Sequence, residues 1–480
     1  MLEFRKLDKG LVARVLLCAS LTFSLLCPGA HAAADPPSAS WDTAGTPNVA
    51  VLPTDELTKK ILLDLVNLAR FNLHYRQASA KQGRWKGLRY FGFQEANAGL
   101  TEASLIVGVS ERMSHIRDRD FLRLHAGALE HGNVLGAVGQ TIGASGSMLE
   151  FMINGYHSAK ASRDGFSPAA GSRYVKSIVK KVDQEITELS SRCQADQQYV
   201  SADAAHAHAC EVRILGDLRD LLVNEFDGFH IGARRILWTQ QSFYLLDTAK
   251  NVTGALGNLF GYKAVRQHRR RFNQPAGVLN TVSGALIIIN PILSRLMGRC
   301  MSTVDRHLLK ASGLTKVEGS MAKLDADYKE LDEVCHGGRD RGDSAVASVL
   351  NREDVYARHR RHFVEQFERS SKEIRAGNRI AVQNILSAMF VGGTKLSYGI
   401  QFDVAGFKYV NDPRMTNVQL GTGPIAYLAG TSYALLDNLR IQVMREITNV
   451  KLAKKHQLPG QLIKDQLNQL DEIERSVNSL

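Results

Sequence analysis

Residues 210–246 read CEVRILGDLRDLLVNEFDGFHIGARRILWTQQSFYLL, and their apolar side chains recur every three or four positions. This period matches the 3.6 residues of one α-helical turn, so the stretch predicts a long amphipathic helix with one apolar face. The residues of that face are Cys210, Ile214, Leu218, Leu221, Leu222, Phe226, Phe229, Ile236, Leu237 and Phe243.

Two further stretches have the same period. Residues 172–193 carry a single apolar stripe, and residues 345–390 carry apolar side chains near heptad spacing. No stretch of comparable length alternates with period two, and proline and aromatic residues are scarce. We therefore predict an all-α protein of long antiparallel helical hairpins, an elongated helical bundle with weak internal repeats.

The first 32 residues have the pattern of a secretory signal peptide. A basic region that ends at Arg14 precedes the apolar run 15–27, and Ala30-His31-Ala32 offers a small-x-small cleavage site. Residues 33–53, rich in proline and serine, then predict a linker. A retained N-terminal anchor is the alternative, although the apolar run is short for a spanning helix. We predict an exported protein of the periplasm or cell envelope.

The charge balance bears on the partner. Removal of residues 1–32 leaves 56 basic and 46 acidic residues, a net charge of +10. In an exported protein this surplus favours an anionic membrane surface or an envelope polymer over nucleic acid. A solvated surface without such a partner is the alternative. The basic residues predicted at helix tips are Arg266, Arg269, Arg270 and Arg271, with Lys86 at another tip.

The body of the chain divides into three helical regions, 54–171, 172–275 and 276–480. The first contains five glycines spaced to lie on one face of a helix. Each glycine costs about 1 kcal/mol relative to alanine in a helix interior, so the stripe predicts close approach of a second helix. A glycine-rich loop is the alternative. The five residues are Gly132, Gly136, Gly139, Gly143 and Gly146.

The chain also repeats a short pattern at 133–137, 251–255 and 384–388, where Asn is followed by a Gly-Ala or Ser-Ala pair. A glycine, an aromatic residue and a basic residue follow each copy. The pattern predicts a repeated unit of an apolar helix, a basic tip and a returning apolar helix.

The most apolar stretch after the N-terminus is Ala276–Gly298, but it contains Asn280, Asn290 and Arg295. An arginine near the centre of a spanning helix costs about 3 kcal/mol. Two interpretations therefore stay open for this stretch. It is either a membrane-inserted helix or a core helix of a bundle.

Four cysteines would remain after cleavage, and an even number in an oxidising compartment predicts disulfides. Cys193 ends one apolar stripe and Cys210 begins the next, so a bridge at the hairpin tip is expected. Cys300 is then left to pair with Cys335. Buried free thiols are the alternative.

His206, His208 and Glu211 form the densest group of metal-ligand side chains. A His-x-His pair in a loop beside a carboxylate could bind zinc or copper. No phosphate-binding loop, His-Glu-x-x-His motif or nucleophile-elbow serine occurs in the sequence. The sequence therefore favours a non-enzymatic protein and predicts no cofactor.

Three functional hypotheses follow. The leading one is a non-enzymatic envelope scaffold, attached to a membrane or wall surface by its basic tips and bound to a protein partner through its helical surfaces. The second is a membrane-inserted protein with glycine-packed helical hairpins. The third is a metal-binding or enzymatic periplasmic protein built on His206, His208 and Glu211.

Overall fold

A computed structural model confirms the predicted all-α class: it is 96% helical, and the residues it describes form no strand. The predicted signal peptide 1–32 and linker 33–53 lie outside those residues. The described residues are 54–79, 84–114, 126–196, 201–311, 321–339, 344–454 and 458–480. They form the α-helices α1 (Thr54–Ser79), α2 (Arg84–Ser114), α3 (Ala126–Ala161), α4 (Pro168–Asp196), α5 (Ala202–Arg266), α6 (Asn273–Ala311), α7 (Met321–Arg339), α8 (Ser344–Phe407), α9 (Pro413–Lys454) and α10 (Pro459–Asn478).

The three periodic stretches of the sequence are all helical, in α4, α5 and α8. Prolines begin α4, α9 and α10, because proline fixes φ near its helical value and the first helical N–H needs no partner. Pro291 and Pro424 are exceptions and lie inside α6 and α9.

One apolar core lies among α1, α4, α7, α10 and the N-terminal halves of α5 and α8, and we call this part the helical domain. Leu65, Leu189, Ile214 and Leu331 are each 0% exposed there. The apolar face predicted on α5 supplies this core as far as Phe229. Full burial of one such side chain contributes about 1.5–3 kcal/mol to stability, so this core stabilises the packing of these helices.

The other part of the molecule is a ring of six helices, in the order α2, α3, α5, α6, α8 and α9. Each helix contacts the next, and α9 contacts α2 to close the ring. Neighbours run antiparallel: between α3 and α5, Asn133 meets Gly261 while Gly143 meets Asn251. Because α5, α6 and α8 extend into the helical domain, the two parts share continuous helices.

The predicted glycine stripe lies in helix α3, so a glycine-rich loop is the wrong interpretation. All five glycines are buried. A Cβ atom at Gly139 would lie 3.0 Å from the carbonyl oxygen of Asn97 on α2. This confirms the predicted close approach of a second helix backbone.

A second glycine face joins α6 to α8. Gly392, Gly399 and Gly406 recur every seven residues along α8 and pack on α6. On the facing helix, a Cβ atom at Gly284 would lie 2.6 Å from the backbone nitrogen of Leu396. Backbone contact on this scale requires glycine, as it does between closely packed membrane helices.

The ring consists of three consecutive hairpins, α2–α3, α5–α6 and α8–α9. The two described tips, of α5–α6 and α8–α9, lie at the end away from the helical domain, where Arg270 donates to the carbonyl oxygen of Val410 at 3.4 Å. The structure thus contains the predicted repeat of two helices joined by a tip. The first copy predicted from the sequence does not coincide with one of the three hairpins. Residues 133–137 lie on a returning helix, whereas 251–255 and 384–388 lie on outgoing helices.

Candidate functional site

The ring helices expose large apolar side chains, whereas α1, α4, α7 and α10 expose none among their described residues. On α5 the change occurs within one helix, because the apolar face is buried up to Phe226, whereas Ile236, Val252, Leu256 and Leu259 are exposed. We call the exposed side chains of the ring the apolar belt. It includes Ile106, Val134, Met152, Ile236, Leu256, Val282, Leu296, Leu386, Phe407, Leu436 and Met444.

The height of the apolar belt is similar on α3, α5 and α8 and greater on the other ring helices, up to Val278–Leu308 on α6. Its side chains extend over Val134–Tyr156 on α3, Ile236–Leu259 on α5 and Leu386–Phe407 on α8. At 1.5 Å of rise per residue, these stretches are about 30–35 Å long. The hydrocarbon core of a bilayer is about 30 Å thick, so the belt matches it.

By length and composition, one helix of the described residues, Arg270–Lys310, could cross a membrane. It includes the apolar stretch recognised in the sequence. Only 33% of its most apolar window is buried, unlike a core helix of a soluble protein, which is mostly buried. The other ring helices are less apolar in total because their inner faces carry polar side chains.

Polar side chains fill the ring interior. Asn97, Gln140, Asp247, Asn251 and Lys395 are all buried. Hydrogen bonds link them into one chain that connects a buried cation to a buried carboxylate. In order, its donors and acceptors are Lys395 to Gln140 (3.4 Å), Gln140 to Thr101 (3.2 Å), Thr101 to Asn97 (3.3 Å), Asn97 to Asn251 (3.3 Å) and Asn251 to Asp247 (3.3 Å).

The two charged ends of this chain differ in their partners. Lys250 Nζ donates to Asp247 Oδ1 at 2.6 Å. The other oxygen of Asp247 accepts hydrogen bonds from Tyr90, Gln94, Ser147 and Asn251. The Asp247 carboxylate is therefore fully satisfied by its neighbours.

Lys395 has far fewer partners. Its ammonium group carries three donors, yet its one hydrogen bond is the long contact to Gln140 Oε1. The ring of Tyr427 lies 5.6 Å from Nζ, within cation–π range. Lys395 is only 2% exposed, and among the described residues no carboxylate lies within ion-pair distance of its amino group.

Two adjacent cavities follow the polar interior. The outer cavity, of about 440 Å³, is lined at the end near the helical domain by Lys86, Gln240 and Arg445. The deep cavity, of about 80 Å³, is lined by Lys395 and Tyr427. The residues that line both cavities are Gln94, Lys250, Ile287, Val391, Ala434 and Asn438.

Lys86 was predicted at a basic tip, but it lies at the mouth of the outer cavity. Its Nζ donates to Asn154 Oδ1 at 2.8 Å and to Gln240 Oε1 at 2.9 Å. Beside it, Arg89 forms a 2.6 Å ion pair with Glu150. The sequence had no signal for this position, because the mouth is assembled from four separate helices.

The other predicted basic residues do lie at a hairpin tip, between α5 and α6. Arg266, Arg269 and Arg271 are exposed, and Arg270 is half-buried against the neighbouring tip. Arg266 Nη1 lies 3.9 Å from Glu130 on α3. The tip therefore presents a basic surface at the far end of the ring.

Two of the three predicted metal ligands are brought together, because His208 Nδ1 lies 3.5 Å from Glu211 Oε2, whereas His206 is directed away from them. Helix α5 already begins at Ala202, so His206 and His208 are two residues apart on a helix and point to different sides. His206 Nε2 lies 2.9 Å from Glu330 Oε1, whereas Glu211 forms an ion pair with Arg352. The predicted site required a loop that the chain does not form there.

A different group, His206, Cys210 and Glu330, has its ligand atoms within 4.8 Å of one another. However, Arg213 donates to Cys210 Sγ at 3.2 Å and pairs with Glu330 at 2.7 Å. Burial raises the pKa of Cys210 to about 11, which disfavours the thiolate that a metal requires. We interpret this group as an ion-pair network.

The predicted disulfides Cys193–Cys210 and Cys300–Cys335 are not formed, and none of the four cysteines is in a disulfide. Cys210 lies about two turns inside α5 rather than at a hairpin tip, because the helix begins earlier than expected. Cys210 and Cys335 are buried in the helical domain, while Cys300 is exposed on α6. Buried free thiols are therefore the better description of two of the four.

Comparisons with protein families, curated proteins and solved structures gave no match to this chain. The ring, its apolar belt and its polar interior are accordingly the features from which a function can be argued.

Proposed function

We propose that the chain is an integral membrane protein of the cell envelope, and that its ring provides a pathway for a small polar solute. The six ring helices cross the bilayer, and the helical domain lies outside it. The observation that carries the proposal is the inverted polarity of the ring, which is apolar outside and polar inside.

Membrane burial explains features that a soluble bundle leaves unexplained. In water, contiguous exposed apolar patches larger than a few hundred Å² are rare on monomers, and the apolar belt surrounds a six-helix ring. In lipid the same side chains are solvated by acyl chains. The polar groups of the interior bond to one another, as polar groups at bilayer depth must.

The glycine faces support the same proposal. Between helices in lipid, water supplies no hydrophobic driving force, so association depends on close van der Waals packing between small residues. In the ring, Gly139 approaches α2, and Gly284 and Gly399 lie at the contact of α6 with α8. The scaffold hypothesis explains the basic tips. It does not explain what covers the exposed apolar side chains of the belt.

Sequential washing of membranes from cells that express the tagged full chain tests the proposal. We expect the chain to stay in the membrane through high salt and alkaline carbonate, and to be released by detergent. Release by salt would instead support peripheral attachment through the basic tips. Release by carbonate alone would also contradict membrane insertion, because carbonate removes proteins that lie on a bilayer surface.

Substitutions within the apolar belt sharpen this test. An arginine near the middle of a spanning helix costs about 3 kcal/mol on insertion, so Met148→Arg, well inside the belt on α3, should lower the fraction that resists carbonate. Lys160→Glu is the matched control, because Lys160 is exposed beyond the belt at the end of α3. If both variants resist carbonate equally, the belt does not contact lipid.

A further inference from the structure

We infer that the deep cavity beside Lys395 binds one small monovalent inorganic anion, of the size of a halide or nitrate. The inference rests on the proposed function for the route by which the anion arrives. The binding itself requires only the folded ring, so it can be tested apart from membrane insertion.

One amino group at the deep cavity has no carboxylate partner among the described residues. Asp247 is the carboxylate of this region, and Lys250 already neutralises it at 2.6 Å. Lys395, which is 2% exposed, has only the 3.4 Å contact to Gln140 and the ring of Tyr427. Burial without a counter-charge disfavours the protonated amino group, and a bound anion would stabilise its protonated form.

The size of the deep cavity limits the anion. Its volume is about 80 Å³, the share of two or three water molecules at about 30 Å³ each. A halide or nitrate fits with a water molecule, whereas a nucleotide or a sugar phosphate does not. The donors available at the wall are Lys395, Lys250 and the amide groups of Asn97 and Asn251.

The outer cavity gives such an anion a favourable approach. The basic residues that line the two cavities are Lys86, Lys250, Lys395 and Arg445, and the acidic ones are Asp247 and Asp437. Asp437 is further neutralised by Arg440 at 2.6 Å. An excess of positive charge along a cleft with low-dielectric walls concentrates anions within it.

Thermal unfolding of the purified full chain in detergent tests the inference. Melting is compared in chloride, nitrate and gluconate salts at equal ionic strength, since gluconate is too large for the deep cavity. For the unmodified protein we expect chloride and nitrate to raise the melting temperature by about 2–4 °C over gluconate. Lys395→Met should abolish that difference.

Lys408→Met is the matched control, because Lys408 is exposed at a hairpin tip. It should keep the full difference between the salts, which separates site binding from general effects of salts on unfolding. Equal melting in all three salts for the unmodified protein would overturn the inference. So would a Lys395→Met variant that retains the difference.

A second measurement covers the case in which Lys395→Met does not fold. Chloride nuclear magnetic resonance lines should broaden in the presence of the unmodified chain, and nitrate should reverse the broadening. Broadening that nitrate does not reverse, or no broadening, would contradict the site. Failure here while the chain resists carbonate would reject the anion and leave membrane insertion standing.

Discussion

Glu211 and Arg352 form a buried ion pair in the helical domain. Arg352 donates to both carboxylate oxygens of Glu211, at 2.6 and 3.0 Å, and Tyr356 adds a third hydrogen bond at 2.7 Å. Burial alone would raise the pKa of Glu211. The charge of Arg352, a hydrogen bond from His208 and the hydrogen bonds from Arg352 and Tyr356 outweigh burial, so the pKa falls to about 2.

This lowered pKa predicts how stability depends on pH. Because the folded carboxyl has the lower pKa, its contribution is complete above the ordinary value near 4.5 and is lost as pH falls toward 2. Replacement by Gln leaves Arg352 with only the exposed carboxylate of Asp55, 2.7 Å from Nη1, so Glu211→Gln should cost up to about 3–5 kcal/mol at pH 7. Melting curves of the full chain in detergent should show this gap shrinking between pH 5 and pH 2.

Glu333→Gln is the control for this prediction. Glu333 forms an exposed pair with Lys329 at 3.6 Å, and such surface pairs contribute little to stability. We expect its melting curves to follow those of the unmodified protein at every pH. A gap for Glu211→Gln that stays constant down to pH 2 would contradict the assigned ion pair.

Single residues also show what the sequence could not reveal. Lys395 lies in a glycine-containing apolar stretch, where a lysine argues against membrane insertion when the stretch is read alone. Its meaning depends on Gln140 and Tyr427, which come from other helices. The buried chain of polar groups joins residues up to 255 positions apart, so no local pattern marks it.

Among the helices, the contact between α6 and α8 depends most directly on backbone approach. A Cβ atom at Gly399 would lie closer than 3.0 Å to the backbone of Thr281, which cannot yield as a flexible side chain can. Gly393, on the same helix, has open space around its Cβ position. The two glycines therefore form a matched pair.

Substitution of these two glycines by alanine should change stability in opposite directions. Gly399→Ala should destabilise the ring by about 1–3 kcal/mol through overpacking. Gly393→Ala should stabilise α8 by up to about 1 kcal/mol, because alanine favours the helix more than glycine does. Thermal unfolding of both variants in detergent measures the two effects, and a Gly399→Ala variant as stable as Gly393→Ala would contradict the close contact.

The helices themselves could be predicted from the sequence, but their surroundings could not. The apolar period of α5 is continuous from Cys210 to Phe243, and it correctly predicts one long helix. Periodicity does not say whether the apolar face meets a core or lipid, and on α5 it meets the core up to Phe229. Farther along, Ile236 is exposed, whereas Leu237 and Phe243 are half-buried. The apolar period shows which residues share one face of a helix. What that face contacts depends on how the other helices pack around it.

At the scale of the whole molecule, three hairpins leave the helical domain and return to it. The helices α1 and α10, nearest the two ends of the described chain, both belong to that domain. An even number of crossings is consistent with this arrangement. The described hairpin tips, 267–272 and 408–412, carry basic residues, with Arg269 and Arg271 exposed on the first and Lys408 on the second.

The positive-inside rule then predicts an orientation for the proposed membrane protein. Lysine and arginine concentrate in short cytoplasmic loops, so the tips should face the cytoplasm and the helical domain should face outward. A membrane-impermeant maleimide tests this on single cysteines in a background with Cys193 and Cys300 changed to Ser. Lys176 is exposed on α4 in the helical domain. Lys176→Cys should therefore be labelled in cells whose outer membrane has been permeabilised.

Arg269→Cys, at the basic tip, should be labelled only after the inner membrane is permeabilised. The comparison separates three arrangements. Labelling of Arg269→Cys alone before permeabilisation would reverse the orientation but keep the crossings. Labelling of both positions before permeabilisation would mean that no bilayer separates the tip from the helical domain. That last outcome would contradict the crossings themselves, because the apolar belt lies between these two positions and would then have to face water.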